Sequence, residues 1–441
     1  MPHLTDLPVV IIGAGPVGLA AAAQLRERGQ RSVVLEAGTA PGAAISQWGH
    51  TRLFSPWRYN IDDAARRLLE TTTWQAPNPD ELPTGHELVQ DYLLPLADAL
   101  GEVVRTHTKV LAVSRSGIDK TRSTNRGQTP LVVRARSSEG NVEDLLARSV
   151  LDASGTWHQP NPLGQSGLPA PGEHLARTHG MISAPLPDVY GPERDRFAHR
   201  HVLVVGAGHS AANTLLELAQ LAEQAPETRI SWAVRGKDVT KVYGGEATDE
   251  LAARGALGTR LRRLVESGRI DMHTQFTIRS FDSTPTGLTV VADAPGGPTQ
   301  LTVDVLVPAT GFRPDLSTLS ELRLELDPAV EAPRQLGPLI DPEFHSCGSV
   351  KPHGERILAH PEPGFYMVGM KSYGRAPTFL MATGYEQVRS IAAALAGDRA
   401  AADDVHLDLP ETGVCSANFA QSATLQEVPA ALPLSTTGCC S

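Results

Sequence analysis

Two glycine turns define the chemistry open to this chain. The first, Gly13-Ala14-Gly15-Pro16-Val17-Gly18, follows an unbroken apolar run, Pro8 to Ile12, and opens an Ala/Leu-rich stretch, Leu19 to Arg28, closed by Gly29. An apolar run without alternation reads as a parallel strand buried on both faces. Gly13 then permits the turn, Gly15 lets a pyrophosphate approach the backbone, and Gly18 lets helix and strand pack closely. The next strand, Ser32 to Leu35, ends in Glu36, eighteen residues after Gly18, where a carboxylate accepts hydrogen bonds from a ribose diol. Strand, turn, helix, strand and acid in that order specify a dinucleotide site.

The device recurs at His201 to Val205, Gly206-Ala207-Gly208-His209-Ser210-Ala211 and a helix from Ala212 to about Glu223. Ala211 takes the third glycine position, a permitted variant. The strand that follows, Arg229 to Val234, ends in Arg235 with Lys237 nearby. A carboxylate there would repel a 2′-phosphate, whereas a guanidinium binds it through a forked pair of charge-assisted bonds. The second site therefore reads as NADPH in preference to NADH.

The elements that position these turns need room, and 441 residues hold two or three domains of ordinary size. With 41% hydrophobic and 20% charged residues, the composition is that of a soluble globular protein. A formal net charge of −10, with basic pairs such as Arg66-Arg67 and Arg262-Arg263 scattered, disfavours nucleic acid and anionic membranes as partners. Met1 to Asp6 lacks the basic and apolar regions of a signal peptide, and the longest apolar stretch, Leu7 to Leu25, is broken by the first turn. A soluble, cytoplasmic protein is expected, with no membrane partner. Its oligomeric state is not written in the sequence. Four cysteines, Cys347, Cys415, Cys439 and Cys440, are too few for a disulfide scaffold.

With two such turns about 190 residues apart, the chain resembles the two-dinucleotide-binding flavoproteins, which include flavin-containing monooxygenases and pyridine-nucleotide disulfide reductases. Val150–Trp157 (VLDASGTW) resembles the segment ending the first FAD-binding stretch, and Asp304–Pro314 (DVLVPATGFRP) the element where the chain leaves the NADPH domain. Gly364–Gly369, then Gly384-Tyr385-Glu386-Gln387 opening an Ala-rich helix, is similar to the final element near the flavin ring. The resemblance implies an α/β fold: an FAD-binding Rossmann-like domain with three layers, ββα, interrupted by a smaller NADPH-binding Rossmann-like domain. The expected boundaries are 1–165 and 306–400 for FAD, 166–305 for NADPH, and a tail over 401–441. Residues implied to hold FAD are Gly13, Gly15, Pro16, Gly18, Glu36, Gln47, Trp48, Val110, Gly311, Tyr385 and Gln387. Those implied for NADPH are Gly206, Gly208, Ser210, Ala211 and Arg235.

Disulfide reductases of this group carry a redox pair of cysteines beside the flavin, whereas this chain has no cysteine before Cys347. Between Gly38 and Trp57 it resembles instead the monooxygenase segment in which a tryptophan, here Trp48, follows the FAD ribose site. The monooxygenase signature between the two turns is incomplete: His179-Gly180 sits where its histidine would fall, without the preceding phenylalanine and glycine. Thr51–Tyr59, Leu82–Tyr92, Ser346-Cys347-Gly348 and Lys371–Leu380 resemble bacterial flavoproteins associated with arsenic-resistance gene clusters.

That resemblance implies a flavoprotein monooxygenase. NADPH reduces the flavin, molecular oxygen forms a C4a-(hydro)peroxide, and a small soft nucleophile (sulfur, amine nitrogen or trivalent arsenic) is oxygenated. Candidates near the ring are His50, Arg52, Lys351 and Tyr373, with His353 and Arg375, each with a plain packing or surface role as its alternative. Cys439-Cys440, behind the low-complexity stretch Glu427–Thr437, resembles the terminal pair of mercuric reductases. With Cys347 or Cys415 it offers a soft thiolate site for trivalent arsenic; buried small hydrophobes and incidental terminal thiols are the alternatives. Two other functions stay open. One is an NADPH-dependent reductase passing electrons through Cys439-Cys440 to a thiol partner or soft metal ion. The other is a flavin-based redox sensor or metallochaperone.

Overall fold

Val9–Ile12, the unbroken apolar run of the sequence, is the middle strand of a five-stranded sheet ordered Phe365–Met367, Ser149–Asp152, Val9–Ile12, Ser32–Leu35, Val104–Arg105. All neighbours in it are parallel. The computed structural model describes residues 3–237, 243, 252–284, 287–342, 350, 352–377 and 379–407. The run lacks alternation because its two faces serve two cores. Val9 and Ile11 pack with helices Pro16–Glu27 and Met381–Leu395. Val10 and Ile12 pack with the antiparallel sheet formed by Thr108–Arg115, Leu131–Ser137 and Val142–Ala147. The result is three layers, helices on a parallel sheet on an antiparallel one.

The second unit repeats the plan. Its parallel sheet runs Asp271–His273, Arg229–Ala233, His201–Val205, Val305–Pro308. Val202 and Val204 pack with helix His209–Gln224, while Leu203 and Val205 face the antiparallel strands Thr277–Thr284, Gly287–Ala294 and Gly297–Val303. The strand Val305–Pro308 straddles the division expected between residues 305 and 306. No described helix is long and apolar enough to cross a membrane.

The chain passes between the units twice, and the two passages are joined side by side. Asn161 N–H donates to the Gly311 carbonyl at 2.9 Å, Arg313 N–H to that of Gln159 at 2.9 Å, and the Thr310 hydroxyl to that of Asn161 at 2.8 Å. A buried ion cluster ties the first antiparallel sheet to the segment entering strand Phe365–Met367. Glu362, fully buried, accepts from Arg115 Nε at 2.7 Å, from Arg126 Nη2 at 2.8 Å and from Arg323 N–H at 3.0 Å. Burial alone would raise the Glu362 carboxyl; the Arg126 and Arg115 guanidiniums and the Arg323 N–H together hold it below its ordinary value.

Candidate cofactor cleft

The first turn divides its glycines between fold and ligand. Gly13 has φ +98°, and a Cβ there would lie 2.9 Å from the Ala153 carbonyl oxygen. A Cβ on Gly18 would lie 2.0 Å from the Gly13 oxygen, so helix and strand touch at that position. Gly15 differs: its φ is −79°, and a Cβ would meet nothing within 4 Å. That open space over the N-terminus of Pro16–Glu27, with Pro16 as first helical residue, fits an anionic pyrophosphate. Glu36 stands beside it, accepting from Ala14 N–H and Gly38 N–H, both at 2.7 Å. Val110 buries its side chain between the two sheets, next to a ladder irregularity between Val110 and Ala112, so only its backbone is on offer to a ligand.

Gln47 and Trp48 reach the passage between the units. The Trp157 indole N–H donates to Gln47 Oε1 at 2.8 Å, and the Trp157 ring lies 6.4 Å from Trp48 and 4.9 Å from Phe312. Gly311, at φ +80°, precedes Phe312 in the returning passage. Sequence reasoning assigned nothing to Trp157 or Phe312; aromatic residues flanking both passages were the available signal.

The second turn repeats the division. Gly206 has φ +137°, and a Cβ would lie 2.0 Å from the Ala309 oxygen, whereas at Gly208 nothing lies within 4 Å. Ala211 is fully buried against the strand, and Ser210 is half-buried in the first turn of the helix. Arg235 and Lys237 are exposed beyond strand Arg229–Ala233, free to meet a phosphate. The His209 ring lies 4.9 Å from that of Phe54, which brings this turn against the first unit.

Of the expected catalytic residues, His50, Arg52 and Tyr373 are described. His50 is half-buried, its Nε2 without a partner among the described residues. Arg52 sits on an exposed loop, held by the Leu82 carbonyl and 3.7 Å from Glu87. Tyr373 is fully buried, its ring 5.9 Å from His353 and 5.2 Å from Phe379, and burial pushes its phenol up. Arg375 pairs with Glu331 at 2.8 Å. Lys351, Cys347, Cys415, Cys439 and Cys440 lie outside the described residues. Among the described residues, no group of three His, Cys, Asp or Glu side chains is placed to hold a metal.

Two expected cofactor residues turn inward. Gln387 is fully buried, accepting from Gly369 N–H at 2.8 Å and facing Ser372 Oγ at 2.9 Å and His353 Nε2 at 3.0 Å with its Nε2. Its amide holds the turn Gly369–Tyr373. The Tyr385 hydroxyl donates to the Asn60 carbonyl at 2.7 Å, inside the protein. Sequence reasoning also missed the role of Lys371, which is buried in that turn and pairs with Asp152 at 2.6 Å. A lysine in the apolar run Phe365–Tyr373, and an aspartate ending an apolar strand, were the signals that could have found it.

Beneath this cleft, Asp62 is buried without a cation in hydrogen-bond contact. It accepts from Gln24 Nε2 at 3.0 Å and from Ala65 N–H at 2.9 Å, while the Tyr92 hydroxyl accepts from its own N–H at 3.1 Å. Burial pushes its carboxyl up from 3.8 to about 6. A raised carboxyl favours the folded protein when protonated, so its contribution to stability is lost as pH rises from about 4 to 6. At about 1.4 kcal/mol per pH unit, urea titrations should show wild type gaining about 3 kcal/mol over Asp62→Asn between pH 7 and pH 4. Parallel stability profiles for the two proteins would show that Asp62 does not titrate this way.

Two open glycine cradles at the carboxyl ends of parallel strands, in units that share a passage, define a flavoprotein oxidoreductase with two dinucleotide sites. Residues 10–334 match the pyridine nucleotide-disulphide oxidoreductase family, and the chain belongs to it. It is 25% identical over 333 residues to a ferredoxin–NADP reductase of Rhodospirillum rubrum, covering 74% of this chain and 77% of that one. It is also 25% identical over 244 residues to flavin-containing monooxygenase FMO GS-OX-like 2 of Arabidopsis thaliana, 50% of this chain and 49% of that one. Among solved structures, a bacillithiol disulfide reductase of Bacillus cereus superposes with a TM-score of 0.66 at 20% identity, over 89% of this chain and 99% of that one. The protein is an oxidoreductase whose cofactors are FAD and NADPH.

Proposed function

We propose that the protein is a cytoplasmic flavoprotein monooxygenase that oxygenates a small soft nucleophile. Residues 1–165 and 306–400 carry FAD in this reading, and 166–305 carry NADPH. Bound together, the cofactors supply hydride transfer and oxygen activation; the chain supplies binding, orientation and dryness. Gly15 and the helix behind it receive one pyrophosphate, Gly208 and Ser210 the other, and Arg235 with Lys237 meets the 2′-phosphate. The overall reaction balances as NADPH, a proton, oxygen and substrate giving NADP+, water and oxygenated substrate. The observation that carries this reading lies between Gly38 and Trp57 and at the passage between units. That stretch carries no thiol pair, and the chain has no cysteine before Cys347; Trp48 lies there instead, its ring 6.4 Å from Trp157, which in turn packs on Phe312. In this reading, closing over the bound cofactors is the task of these aromatics, since an oxygenating intermediate requires a dry site. A role in arsenic resistance extends the reading: Cys347, Cys415, Cys439 and Cys440 are thiolates of the kind that select trivalent arsenic.

A second reading, an NADPH-dependent reductase, is favoured by the greater share of the chain matched by the Rhodospirillum reductase. Its electrons would leave through Cys439-Cys440 to a thiol partner or soft metal ion, or to a ferredoxin-like acceptor. The two readings differ in stoichiometry. FAD-loaded protein, NADPH and oxygen are combined with arsenite, a methylated trivalent arsenical or an organic sulfide, and NADPH loss, hydrogen peroxide and oxygenated product are counted. One product per NADPH, with peroxide suppressed by substrate, is the expected result. Unchanged peroxide with every substrate, alongside rapid NADPH use with a disulfide, mercuric ion or ferredoxin, sinks the oxygenase and favours the reductase.

A further inference from the structure

Lys371 and Asp152 are an ion pair shut almost wholly from water, with side chains 2% and 1% exposed and 2.6 Å between Nζ and Oδ2. Burying such a pair is costly, and apolar residues of the same volume often serve stability as well or better. The position of this pair suggests what it is for. Asp152 is the last residue of the strand beside Val9–Ile12, so it lies at the carboxyl edge of the parallel sheet, where ligands of this architecture bind.

Two contacts bring the ammonium to the first glycine turn. Lys371 Nζ donates to Ser154 Oγ at 3.1 Å, and the Ser154 Cα is 3.1 Å from where a Gly13 Cβ would be. Gly369, two residues before Lys371, is as close to Val17: its Cβ position is 3.2 Å from Val17 Cγ2. Ser154 is itself exposed, and its hydroxyl is oriented by donation to Asp152 Oδ1 at 2.6 Å. An ammonium has three N–H groups. Asp152 and Ser154 take two of them, and the third has no hydrogen-bond partner among the described residues, although the Asp315 carboxyl lies near enough to feel the charge.

We infer that Lys371, fixed by Asp152 and Ser154, is the positive charge set against FAD at the first glycine turn. Its ligand is an anion of that dinucleotide. The pyrophosphate, carried in every redox state, is the nearer choice given the contacts with Gly13 and Val17. The ring is the other source, because hydride transfer from NADPH (NADPH and FAD giving NADP+ and FADH−) leaves one added negative charge on it. Asp152 and Ser154 are positioning residues, acting through the lysine. The inference rests on the first turn being the FAD site, as proposed above.

Lys371→Met alone leaves a buried carboxylate unpaired and can fail to fold, so the double variant Asp152→Asn/Lys371→Met is measured beside it, with Lys371→Arg as the conservative replacement. Three quantities are read on each: FAD dissociation constant, midpoint potential of the bound flavin, and urea midpoint of the FAD-free protein. The expected result is FAD binding at least about tenfold weaker in the double variant, partly restored in Lys371→Arg. Loss of affinity with an unchanged potential assigns the charge to the pyrophosphate. An additional fall in potential, about 30 mV for each tenfold change in the two-electron equilibrium, assigns it to the reduced ring. A double variant that folds and binds FAD as tightly as wild type, at the same potential, overturns the inference, as does one that cannot fold: the pair is then scaffold. Failure of wild type itself to bind FAD is a separate outcome, and it strikes the proposed function instead.

Discussion

Glu362→Ala should lower stability by about 3–5 kcal/mol, because it leaves two arginines buried without their counter-charge. Arg115 and Arg126 are 1% and 4% exposed, and both point their guanidiniums at that one carboxylate. Their remaining N–H groups are held by carbonyls: Arg115 Nη1 donates to Thr129 at 2.6 Å and Arg126 Nη1 to Asp119 at 2.7 Å. Neither side chain can therefore swing out to water without breaking the loops it ties down. Glu362→Gln keeps an acceptor but removes the charge, and should fall between alanine and wild type. The check is the urea midpoint at unchanged slope, which reports stability apart from any change in the denatured state. A midpoint within about 0.5 kcal/mol of wild type for Glu362→Ala would contradict the buried cluster, since exposed positions behave that way.

The second large effect separates two glycines two residues apart. Gly208→Ala should leave the fold intact, because its φ of −95° suits alanine and its Cβ would meet nothing within 4 Å. It should nevertheless slow NADPH-driven flavin reduction roughly a hundredfold in kcat/KM, about 2.8 kcal/mol, since the methyl fills the space a pyrophosphate enters. Gly206→Ala should do the reverse. With φ +137° and a Cβ 2.0 Å from the Ala309 oxygen, it forces strand and passage apart and destabilises the second unit whatever ligand is present. Anaerobic flavin bleaching at graded NADPH reads the first effect, with dithionite reduction as a control that bypasses the nucleotide. If Gly208→Ala protein is reduced by NADPH at the wild-type rate, the second turn is not where the nucleotide binds.

Both turns were legible because their information is local: a strand, a turn and a helix within thirty residues, with the glycines at fixed offsets. The three-layer plan was legible for the first unit, and its repetition in the second appears only when Leu203 and Val205 are seen facing strands that begin more than seventy residues downstream. Side-chain partnerships were not legible, because their members are far apart in sequence. Lys371 meets Asp152 across 219 positions, and Arg115 meets Glu362 across 247. Gln387 was assigned to the cofactor because Gly384-Tyr385-Glu386-Gln387 is similar to the final element near the flavin ring in the family. Here the helix is rotated so that the amide supports Gly369 from behind. Trp157 and Phe312 belong to separate passages whose pairing exists only after both units have formed.

Strand Ser149–Asp152 has one neighbour already made when it emerges, Val9–Ile12, and another, Phe365–Met367, that emerges only after the whole second unit. At 5–20 residues per second, translation of the intervening chain takes on the order of ten to forty seconds. For that time the newborn first sheet carries an unpaired edge of apolar residues, which is a template for wrong pairing. The second unit has all its own strands by residue 308 and can complete its sheet on the ribosome while the first waits. A fragment ending at residue 165 keeps that edge open permanently, so the half of the protein that comes first is the half that finishes last.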